Sequence, residues 1–563
     1  MNGFDRTFWR RVWSLTSLYW LSPDRTAGLR LLAGVASLSA AGLAAGAYLT
    51  YLQRDIANAL VGKHLAQFHH VVLLTLAVAI LAVLAKVFRE YIGGLLYIEW
   101  REWLTRYFVG QGFADRAFYR MGVRGTVDNP DQRISDDISS FVEWTETFSL
   151  ELIFAAAGVV TYFAILWSIS ASLALFLIVY AFLGTYTATV IGRRLVGLNY
   201  NQEKFQADFR FGLVQVRDHA EQIFMYDGRS QEAEQLRRRF SNVVSNFKRL
   251  VRWKRNLGFM TETYHGIAGL IPYVFLATAY ISGKIQFGLV VQAGTAFMAL
   301  HAALSVIVTN FPRIAQYANV IVRLSEFLDE ARAAREYQTD RCESIEVEDG
   351  ARVSIEHLTV LTPRDDKTLI RDLSADVSGL GPLLIQGPSG SGKTSLIRAM
   401  AGLWREGAGK VIRPALSEVM FLPQRPYMTL GSLRAQLMYP RASAASNDQL
   451  HDVLTIVSLS DLPERFGGLD VEMQWADVLS PGEQQRLAFA RLLLNHPRYA
   501  FLDEATSALD VQNEQLMYDL LNQRNIPYLS SGHRASLLRF HRNVLQLLLD
   551  RGWKVEANPA FSA

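Results

Sequence analysis

The sequence predicts a multidomain membrane protein, in which an all-α transmembrane domain of six helices is followed by a soluble α/β domain. Half of the 563 residues are hydrophobic and the mean hydropathy is +0.11, whereas a soluble chain of this length normally balances its core with more charge. The N-terminal part contains six apolar stretches that are each long enough to cross a bilayer. Beyond residue 350, short β-like runs, glycine turns and helical segments follow one another, as in a soluble α/β domain.

The predicted spans are each roughly 20 residues long, and a helix of that length at about 1.5 Å per residue crosses a hydrocarbon layer of about 30 Å. They are Leu29–Leu52, His70–Tyr91, Phe148–Trp167, Leu173–Ile191, Gly258–Ile281 and Phe287–Val308. Six spans leave both ends of this region on the same side of the bilayer.

The segments between the spans indicate which side that is. Ser168–Ser172 and Ser282–Gln286 are short and nearly free of charge, whereas Arg193–Arg255 is long and rich in Lys and Arg. Each basic residue would cost about 3 kcal/mol at the bilayer centre, so this stretch must lie in water or protein. Because cytoplasmic loops carry the excess of positive charge, the N-terminus, both long loops and the C-terminal half are predicted to be cytoplasmic.

We divide the chain into four parts. They are residues 1–25, an interfacial N-terminal segment; 26–328, the transmembrane domain; 329–349, a linker; and 350–563, the soluble domain. Trp9, Trp13 and Trp20 recur at helical spacing among arginines, which is typical of an amphipathic helix lying in the membrane interface. The alternative is a soluble helix packed on a core.

The cysteine content and the charge bear on disulfide formation and on nucleic-acid binding. The single cysteine, Cys342, cannot form an intrachain disulfide. The net charge of +4 is small, and Glu232 and Glu234 stand close to the basic run Arg237–Arg239. This run is interpreted as the solvated face of a helix, and no nucleic-acid partner is predicted.

A glycine-rich motif of the phosphate-binding type stands between the apolar strand Leu383–Ile385 and a helix, which is the context that such a loop requires. Its residues, together with the next one, are Gly387, Pro388, Ser389, Gly390, Ser391, Gly392, Lys393, Thr394 and Ser395. Glycines let backbone N–H groups turn toward phosphates, and the helix N-terminus adds partial positive charge. Lys393 is predicted to reach the β- and γ-phosphates of ATP, and the Thr394 hydroxyl to bind Mg²⁺.

A second apolar run, Tyr499–Leu502, ends in the acidic pair Asp503-Glu504. A buried strand would deliver both carboxylates to the edge of the same sheet. Asp503 is predicted to hold the Mg²⁺ shell, and Glu504 to polarise the attacking water as a general base. An Asp-Glu pair alone is more often a surface turn, but the apolar strand and the P-loop earlier in the chain favour the catalytic interpretation.

Further motifs carry a resemblance to a known family. The segment Leu479–Arg486, with Ser480, Pro481 and Gly482, resembles the signature sequence of ABC transporters and precedes the Asp-Glu strand as it does there. Three other elements match in order, namely Gln424 as the Q-loop glutamine, Ser507–Asp510 as the D-loop and His533 as the switch histidine. So many motifs in the family's order within one domain are not expected by accident.

The resemblance implies an exporter-type ABC fold and a head-to-tail dimer, with ATP held between the P-loop of one subunit and the signature of the other. Ser480 and the Gly482 amide would complete the γ-phosphate cage from the opposite subunit, so hydrolysis would require closure. The resemblance also implies that Gln424, Thr394 and Asp503 hold Mg²⁺. It places Asp510 in the D-loop and makes Glu504 and His533 the catalytic residues.

Two departures from the family pattern bear on the site. Pro481 replaces the usual glycine and removes one backbone donor. The stretch Leu361-Thr362-Pro363 lacks the tyrosine that stacks on adenine in many relatives. Adenine packing is then weaker, or Pro363 supplies it.

The resemblance narrows further to the peroxisomal fatty-acyl transporters, subfamily D, and their bacterial half-transporter relatives. Asn129–Asp137, Ala220–Gly228 and Leu422–Tyr439 carry it. It implies cytoplasmic coupling helices, which we place at Asp128–Asp137 and Ala220–Gly228. Direction of transport stays open, and acyl-CoA or another lipid-like molecule, cobalamin and peptides are all candidate cargoes.

The sequence thus predicts an ATPase that drives transport across a lipid bilayer, in a bacterial inner membrane because no organellar extension is present. Intact motifs in a single copy favour a homodimer, and a dimer with a paralogous partner is the alternative. An ATP-gated channel or regulator would share the same motifs and is the alternative. Within the spans, Gln292, Thr295 and His301 either line a polar cavity or hydrogen-bond between helices.

Overall fold

The structure is a computed structural model, and it describes residues 6–125, 127–336, 344–363, 367–441 and 445–561. Cys342 lies outside the described residues. The chain forms two compact units. One, the membrane unit, consists of Met1–Ala114 with Val127–Arg332; the other, the nucleotide unit, consists of Asp115–Thr126 with Ala333–Ala563. The domain limits proposed from the sequence stay predictions.

The first part of the chain is helical throughout. In order the helices are α1 (Arg6–Trp20), α2 (Arg25–Val61), α3 (Leu65–Phe113), α4 (Ala117–Arg124), α5 (Pro130–Ile169), α6 (Ala171–Asp218), α7 (Ala220–Met225), α8 (Arg229–Ile281) and α9 (Phe287–Glu336). All except α4 and the end of α9 beyond Arg332 belong to the membrane unit.

Five of the described helical segments are long and apolar enough to cross a bilayer, namely α2, α3, α5, α8 and the Phe287–Val306 part of α9. The sixth predicted span, Leu173–Ile191, lies in α6, whose described apolar part is Ala171–Thr187. Each predicted span therefore falls on its own helix. The helices are much longer than the spans: α3 has 49 residues and α8 has 53, so at about 1.5 Å per residue they extend well beyond the hydrocarbon layer.

Helix α1 uses its two faces differently. Leu15 and Tyr19 are buried, and the Tyr19 ring stacks on Trp100 of α3 with 6.0 Å between ring centroids. On the other face, Trp9 and Trp13 are 59% and 66% exposed. The helix is packed on a core, as the alternative interpretation required, and it also keeps the exposed tryptophans that an interfacial helix needs.

The polar residues of the last span lie inside the bundle. Gln292 and His301 are buried, and the His301 ring lies 4.7 Å from Tyr264 and 5.0 Å from His265, centroid to centroid. The Thr295 hydroxyl donates to carbonyl oxygens of its own helix. Both interpretations, a polar cavity and hydrogen bonds between helices, stay predictions.

The nucleotide unit mixes strands with short helices. Its strands are β1 (Glu346–Asp349), β2 (Ser354–Leu361), β3 (Thr368–Ala375), β4 (Leu383–Gln386), β5 (Gly407–Arg413), β6 (Val419–Leu422), β7 (Gly431–Ser432), β8 (Glu472–Met473), β9 (Tyr499–Asp503), β10 (Tyr528–Ser531), β11 (Asn543–Leu547) and β12 (Trp553–Ala557). Its helices after α9 are α10 (Lys393–Met400), α11 (Leu433–Met438), α12 (Asn447–Ile456), α13 (Leu462–Phe466), α14 (Trp475–Val478), α15 (Pro481–Asn495) and α16 (Val511–Gln523).

A six-stranded sheet with the order β12-β11-β4-β10-β9-β6 forms the centre of this unit. Neighbouring strands from β11 to β6 are parallel, and β12 is antiparallel to β11. Leu384, Phe501 and Leu529 are completely buried, as expected for parallel strands covered on both faces. Because β4, β9 and β10 are adjacent and parallel, their carboxyl ends meet at one edge and bring three predicted motifs together.

The segment that connects α3 to α5 is divided between the two units. Within the nucleotide unit, the Arg116 guanidinium donates to the Gly402 carbonyl, and α4 follows directly. The expected coupling segment Asp128–Asp137 belongs to the membrane unit, where Arg323 pairs with Asp137 at 3.0 Å. The placement of the first coupling helix at Asp128–Asp137 stays a prediction.

Candidate functional site

The P-loop turns between β4 and α10 on glycines with positive φ. Gly387, Gly390 and Gly392 have φ of 155°, 81° and 98°. A Cβ at Gly387 would lie 2.6 Å from the Leu547 carbonyl oxygen, so only glycine fits there. The loop opens α10, whose N-terminal N–H groups lack helical partners and favour an anion.

Lys393, the first residue of α10, folds back over the loop. Its Nζ donates to the carbonyl oxygens of Gly387 and Pro388 at 2.9 and 3.0 Å. Burial lowers the pKa of Lys393, while the nearby carboxylates of Glu504 and Asp503 act in the opposite direction. The ammonium is thus desolvated and held by neutral carbonyls, and phosphate oxygens would be stronger partners for it.

Asp503 ends β9 in the interior of the site. Its Oδ1 accepts from the Thr394 hydroxyl at 3.2 Å and from the Ser531 hydroxyl at 2.7 Å. A hydroxyl and a carboxylate side by side are hard oxygen ligands of the kind Mg²⁺ prefers, and the pair fits that ion. In the described ranges, no group of three or more His, Cys, Asp and Glu residues is arranged for a metal.

Glu504 directly follows β9 with a left-handed backbone, φ 48°. Its backbone N–H donates to the Ser531 hydroxyl at 3.2 Å. One carboxylate oxygen, Oε2, accepts from Gln424 Nε2 at 2.7 Å, and the other, Oε1, lies 3.7 Å from His533 Nε2. Two residues predicted from separate motifs, Gln424 and His533, therefore approach the carboxylate of a third, Glu504.

The signature segment forms the N-terminus of α15. Ser480 is the N-cap: its hydroxyl accepts from the Glu483 N–H, and Glu483 accepts from the Ser480 N–H at 2.7 Å. Pro481 is the first helical residue, a position whose N–H would have no helical acceptor in any case. The substitution therefore removes a donor without weakening the helix. Gly482 lies against the D-loop, because a Cβ on it would be 3.2 Å from the Ala508 carbonyl oxygen.

The D-loop is held by two residues that the motif search did not single out. Gln485 of α15 is buried; it donates to the Gln424 carbonyl at 3.1 Å and accepts from the Ala508 N–H at 2.9 Å. Arg534, next to the switch histidine, donates to the Leu509 carbonyl at 2.7 Å. A buried polar residue on an otherwise apolar helix face was the available signal for Gln485.

Asp510 forms hydrogen bonds with a nearby residue of the same chain. It is the N-cap of α16 and accepts from the Asn513 N–H at 2.8 Å. Hydrogen bonds from Asn513 lower the pKa of Asp510. The carboxylate is therefore held as an anion at the end of the D-loop.

The segment expected near adenine is tightly packed here. The Trp404 indole donates to the Leu361 carbonyl at 2.6 Å, and Pro363 lines a cavity of only about 20 Å³ with Tyr119 and Trp404. That space holds about one water molecule. Whether Pro363 packs on adenine is therefore left as a prediction.

Ser480 and Gly482 stand apart from the residues that gather around Glu504. Across the described part of the chain, no hydrogen bond or ion pair joins either of them to the P-loop Gly387–Thr394; Ser480 contacts Glu483 of its own helix. One chain thus contains two half-sites, one with the phosphate loop and the carboxylates, the other with the signature.

Comparison with known proteins matches the two parts of the chain to two family models. Residues 15–281 match the family model described as ABC transporter transmembrane region 2, and residues 370–507 match the model described as ABC transporter. An uncharacterized ABC transporter ATP-binding protein of Synechocystis sp. is 42% identical over 518 residues, covering 90% of this chain and 78% of that protein. The chloroplastic ABC transporter D family member 2 of Arabidopsis thaliana is 37% identical, covering 98% of this chain and 88% of that protein.

Among solved structures, a bacterial Atm1-family ABC exporter with ATP bound superposes with a TM-score of 0.72, covering 92% of this chain and 94% of that one. At 18% identity this likeness establishes the exporter-type ABC fold alone. The chain belongs to the ABC transporter family. Within that family it is a half-transporter, with one transmembrane region and one nucleotide-binding domain, and its relatives include subfamily D members and bacterial transporters. Its activity is ATP hydrolysis coupled to transport.

Proposed function

We propose that two copies of this chain form a homodimer with two composite ATP sites, and that closure of these sites drives transport of a cargo across the bilayer. The observation that carries the proposal is the division of the site within one chain. Lys393, Thr394 and Glu504 are gathered at one sheet edge, while Ser480 caps a separate helix. A second copy, arranged head to tail, would bring the two half-sites together.

The chain's own residues take distinct roles in this proposal. Lys393 exchanges its carbonyl partners for the β- and γ-phosphates of ATP. Glu504 accepts the proton of the attacking water, and His533 holds the γ-phosphate in line with it. Ser480 and the Gly482 amide donate to the same phosphate from the partner.

Mg²⁺ fits the oxygen ligands at this site, and when bound it would stabilise the charge that develops on the phosphates. Thr394, Asp503 and Gln424 are the residues that would hold it. The Gln424 amide can serve two groups at once, because its Nε2 already donates to Glu504 while Oε1 is the atom that a metal would take. The amide would thus orient the Glu504 carboxylate through its nitrogen and bind Mg²⁺ through its oxygen.

Closure must reach the membrane helices through the connecting segments. The segment Asp115–Thr126 is continuous with α3 and belongs to the nucleotide unit, so movement of that unit is passed directly to the membrane helices. The bundle would then switch access from one side of the membrane to the other. No observation favours the channel alternative.

The apolar helices and the Synechocystis relative support a proposal for the cellular setting. We place the protein in a bacterial inner membrane, with the N-terminus and the nucleotide unit in the cytoplasm, on the charge asymmetry of the loops. Cargo and direction stay open among acyl-CoA, cobalamin and peptides.

The test is ATP turnover by the purified full-length protein in liposomes. Glu504→Gln keeps the shape of the side chain but removes the base, so we expect turnover to fall by about 10² to 10⁴-fold while ATP binding persists. Glu464→Gln on the exposed face of α13 is the matched control and should leave turnover unchanged. Unchanged hydrolysis in Glu504→Gln would refute the assignment of the base.

A further inference from the structure

Two adjoining cavities lie among α2, α3, α5 and α9 of the membrane unit. Their volumes are about 600 and 260 Å³. Arg89, Leu150 and Glu151 line both, so the two lie side by side, and we call them together the charged cavity. Its size suits a small organic molecule or a short peptide segment.

The two lobes of the charged cavity differ in chemistry. The larger lobe has an apolar wall that includes Leu38, Phe154 and Val306, with Lys86 beside it. The smaller lobe is lined by carboxylates, namely Glu90, Glu143, Glu146 and Glu151. Glu90 and Glu151 fall inside predicted spans, where an ionisable side chain is expensive unless it faces water, a partner or a ligand. Glu143 and Glu146 precede the span Phe148–Trp167. The larger lobe is thus mainly apolar, with Lys86, Arg89 and Glu151 as its charged side chains, and the smaller lobe is the ionic end.

The ionic end has an excess of negative charge. Its lining contains four carboxylates, those of Glu90, Glu143, Glu146 and Glu151, and one basic residue, Arg89. Arg89 lies 3.9 Å from Glu90. Over the described ranges, neither Glu143 nor Glu146 forms an ion pair within 4.0 Å of a basic side chain, although they stand one helical turn apart on α5.

We propose that the charged cavity binds the transported cargo and that this cargo is a cationic amphiphile, with amine or guanidinium groups beside an apolar body. The inference rests on the proposed transport function. Cationic groups would occupy the smaller lobe and pair with Glu143 and Glu146, and the apolar body would fill the larger lobe. A polyanionic head such as that of acyl-CoA would meet like charges in the smaller lobe.

The cavity offers a way to test occupancy without disturbing contacts. Gly42 lines the larger lobe and Gly94 the smaller one, and a Cβ on either would meet no atom within 4 Å. Leucine at these positions therefore extends into the cavity itself. Gly110, on the same helix as Gly94, also has nothing within 4 Å of a Cβ but lines neither lobe, which makes Gly110→Leu a matched control.

The experiment uses the full-length protein in liposomes and two apolar peptides of equal length, one with lysines and one with glutamates at the same positions. Palmitoyl-CoA is the third probe. Stimulation of ATPase and ATP-dependent uptake are measured, each variant being compared with its own basal rate. We expect the lysine peptide alone to stimulate and to be taken up.

Substitutions in the charged cavity show where the lysine peptide acts. Glu143→Gln with Glu146→Gln should raise the half-saturating concentration of the lysine peptide by about 10-fold or more, which corresponds to about 1.4 kcal/mol. Gly94→Leu and Gly42→Leu should each abolish stimulation, and Gly110→Leu should not. Thermal unfolding of each variant shows whether it is folded, and the two leucine variants test the two lobes independently.

Failure of this inference is distinguishable from failure of the proposed function. Stronger stimulation by the glutamate peptide or by palmitoyl-CoA, or no response to any of the probes, would overturn the assignment of a cationic cargo. So would full stimulation in both cavity-filling variants. Transport as such is tested separately, since basal turnover that survives Glu504→Gln would contradict the proposed site whatever the cargo.

Discussion

At the scale of single residues, Glu504 combines a predicted role with an unpredicted conformation. Its left-handed φ of 48° is unfavourable for a residue with a side chain and is typical of strained functional positions. The acidic pair and the apolar run before it were enough to predict a base at the sheet edge. The conformation depends on Ser531 and Gln424, which come from other parts of the chain, so no local pattern reveals it.

Gln485 is expected to position the Q-loop and the D-loop relative to the signature helix. In Gln485→Glu, one carboxylate oxygen still accepts from the Ala508 N–H, but the other meets the Gln424 carbonyl at the 3.1 Å where the amide donates. We expect kcat for ATP to fall by about 10- to 100-fold through misplacement of Gln424, with little change in KM. Steady-state kinetics measure both constants.

The matched control for this prediction is Gln523→Glu, which makes the same change at the exposed end of α16. A rise in KM with unchanged kcat would mean that Gln485 acts on nucleotide binding and not on the geometry of the base. Normal values for both constants would leave Gln485 without a positioning role.

At the scale of elements, the signature helix shows what a departure from a family pattern means physically. Compared with the usual glycine of the signature sequence, Pro481 lacks one backbone N–H donor. In the structure it occupies the first turn of α15 behind a Ser480–Glu483 capping box, where proline costs no hydrogen bond. The Ser-x-x-Glu spacing was visible in the sequence, whereas the true position of α4 was not, because it depends on tertiary contacts such as that of Arg116 with Gly402.

His541, just before β11, is expected to make the nucleotide unit sensitive to acid. The ring is completely buried between Tyr518 and Tyr528, and burial lowers the pKa of His541 to about 4. Because the folded pKa is below the unfolded value of about 6.5, protonation favours the unfolded chain. Above about pH 6.5 the ring is neutral in both states and the free energy of unfolding is unaffected. As the pH falls from there toward 4, the free energy of unfolding decreases, and the loss is about 2 kcal/mol at pH 5.

Apparent Tm values of the full-length protein at pH 7.5 and pH 5 measure this effect. His541→Phe should reduce the difference between the two values, because no group titrates in its place. His451→Phe at the exposed start of α12 should leave the difference unchanged. A pH dependence that is equal in both variants would assign acid sensitivity to other groups.

At the scale of the whole molecule, hydropathy and motif order predicted the two-part fold, and the comparisons confirm it. Length and apolar content are properties of single segments, so all six spans could be placed on helices. The charged cavity could not be predicted, because it depends on which faces of α2, α3, α5 and α9 meet. Lys86 and Glu143 are ordinary charged residues in the sequence and become a site only through helix packing.

The composite nature of the ATP sites is a property of the dimer, and mixed dimers test it. Glu504→Gln removes the base, and Ser480→Asp keeps a good N-cap while placing negative charge where the partner's γ-phosphate would bind. Each variant alone should be inactive. If the half-sites come from different chains, a heterodimer of the two variants contains one site with both defects and one site with neither. Heterodimers isolated through two different tags should therefore recover ATP hydrolysis in a single-turnover assay, at up to about half the wild-type amplitude by this arithmetic. If each chain instead completed its own site, both sites would retain one defect and no activity would return.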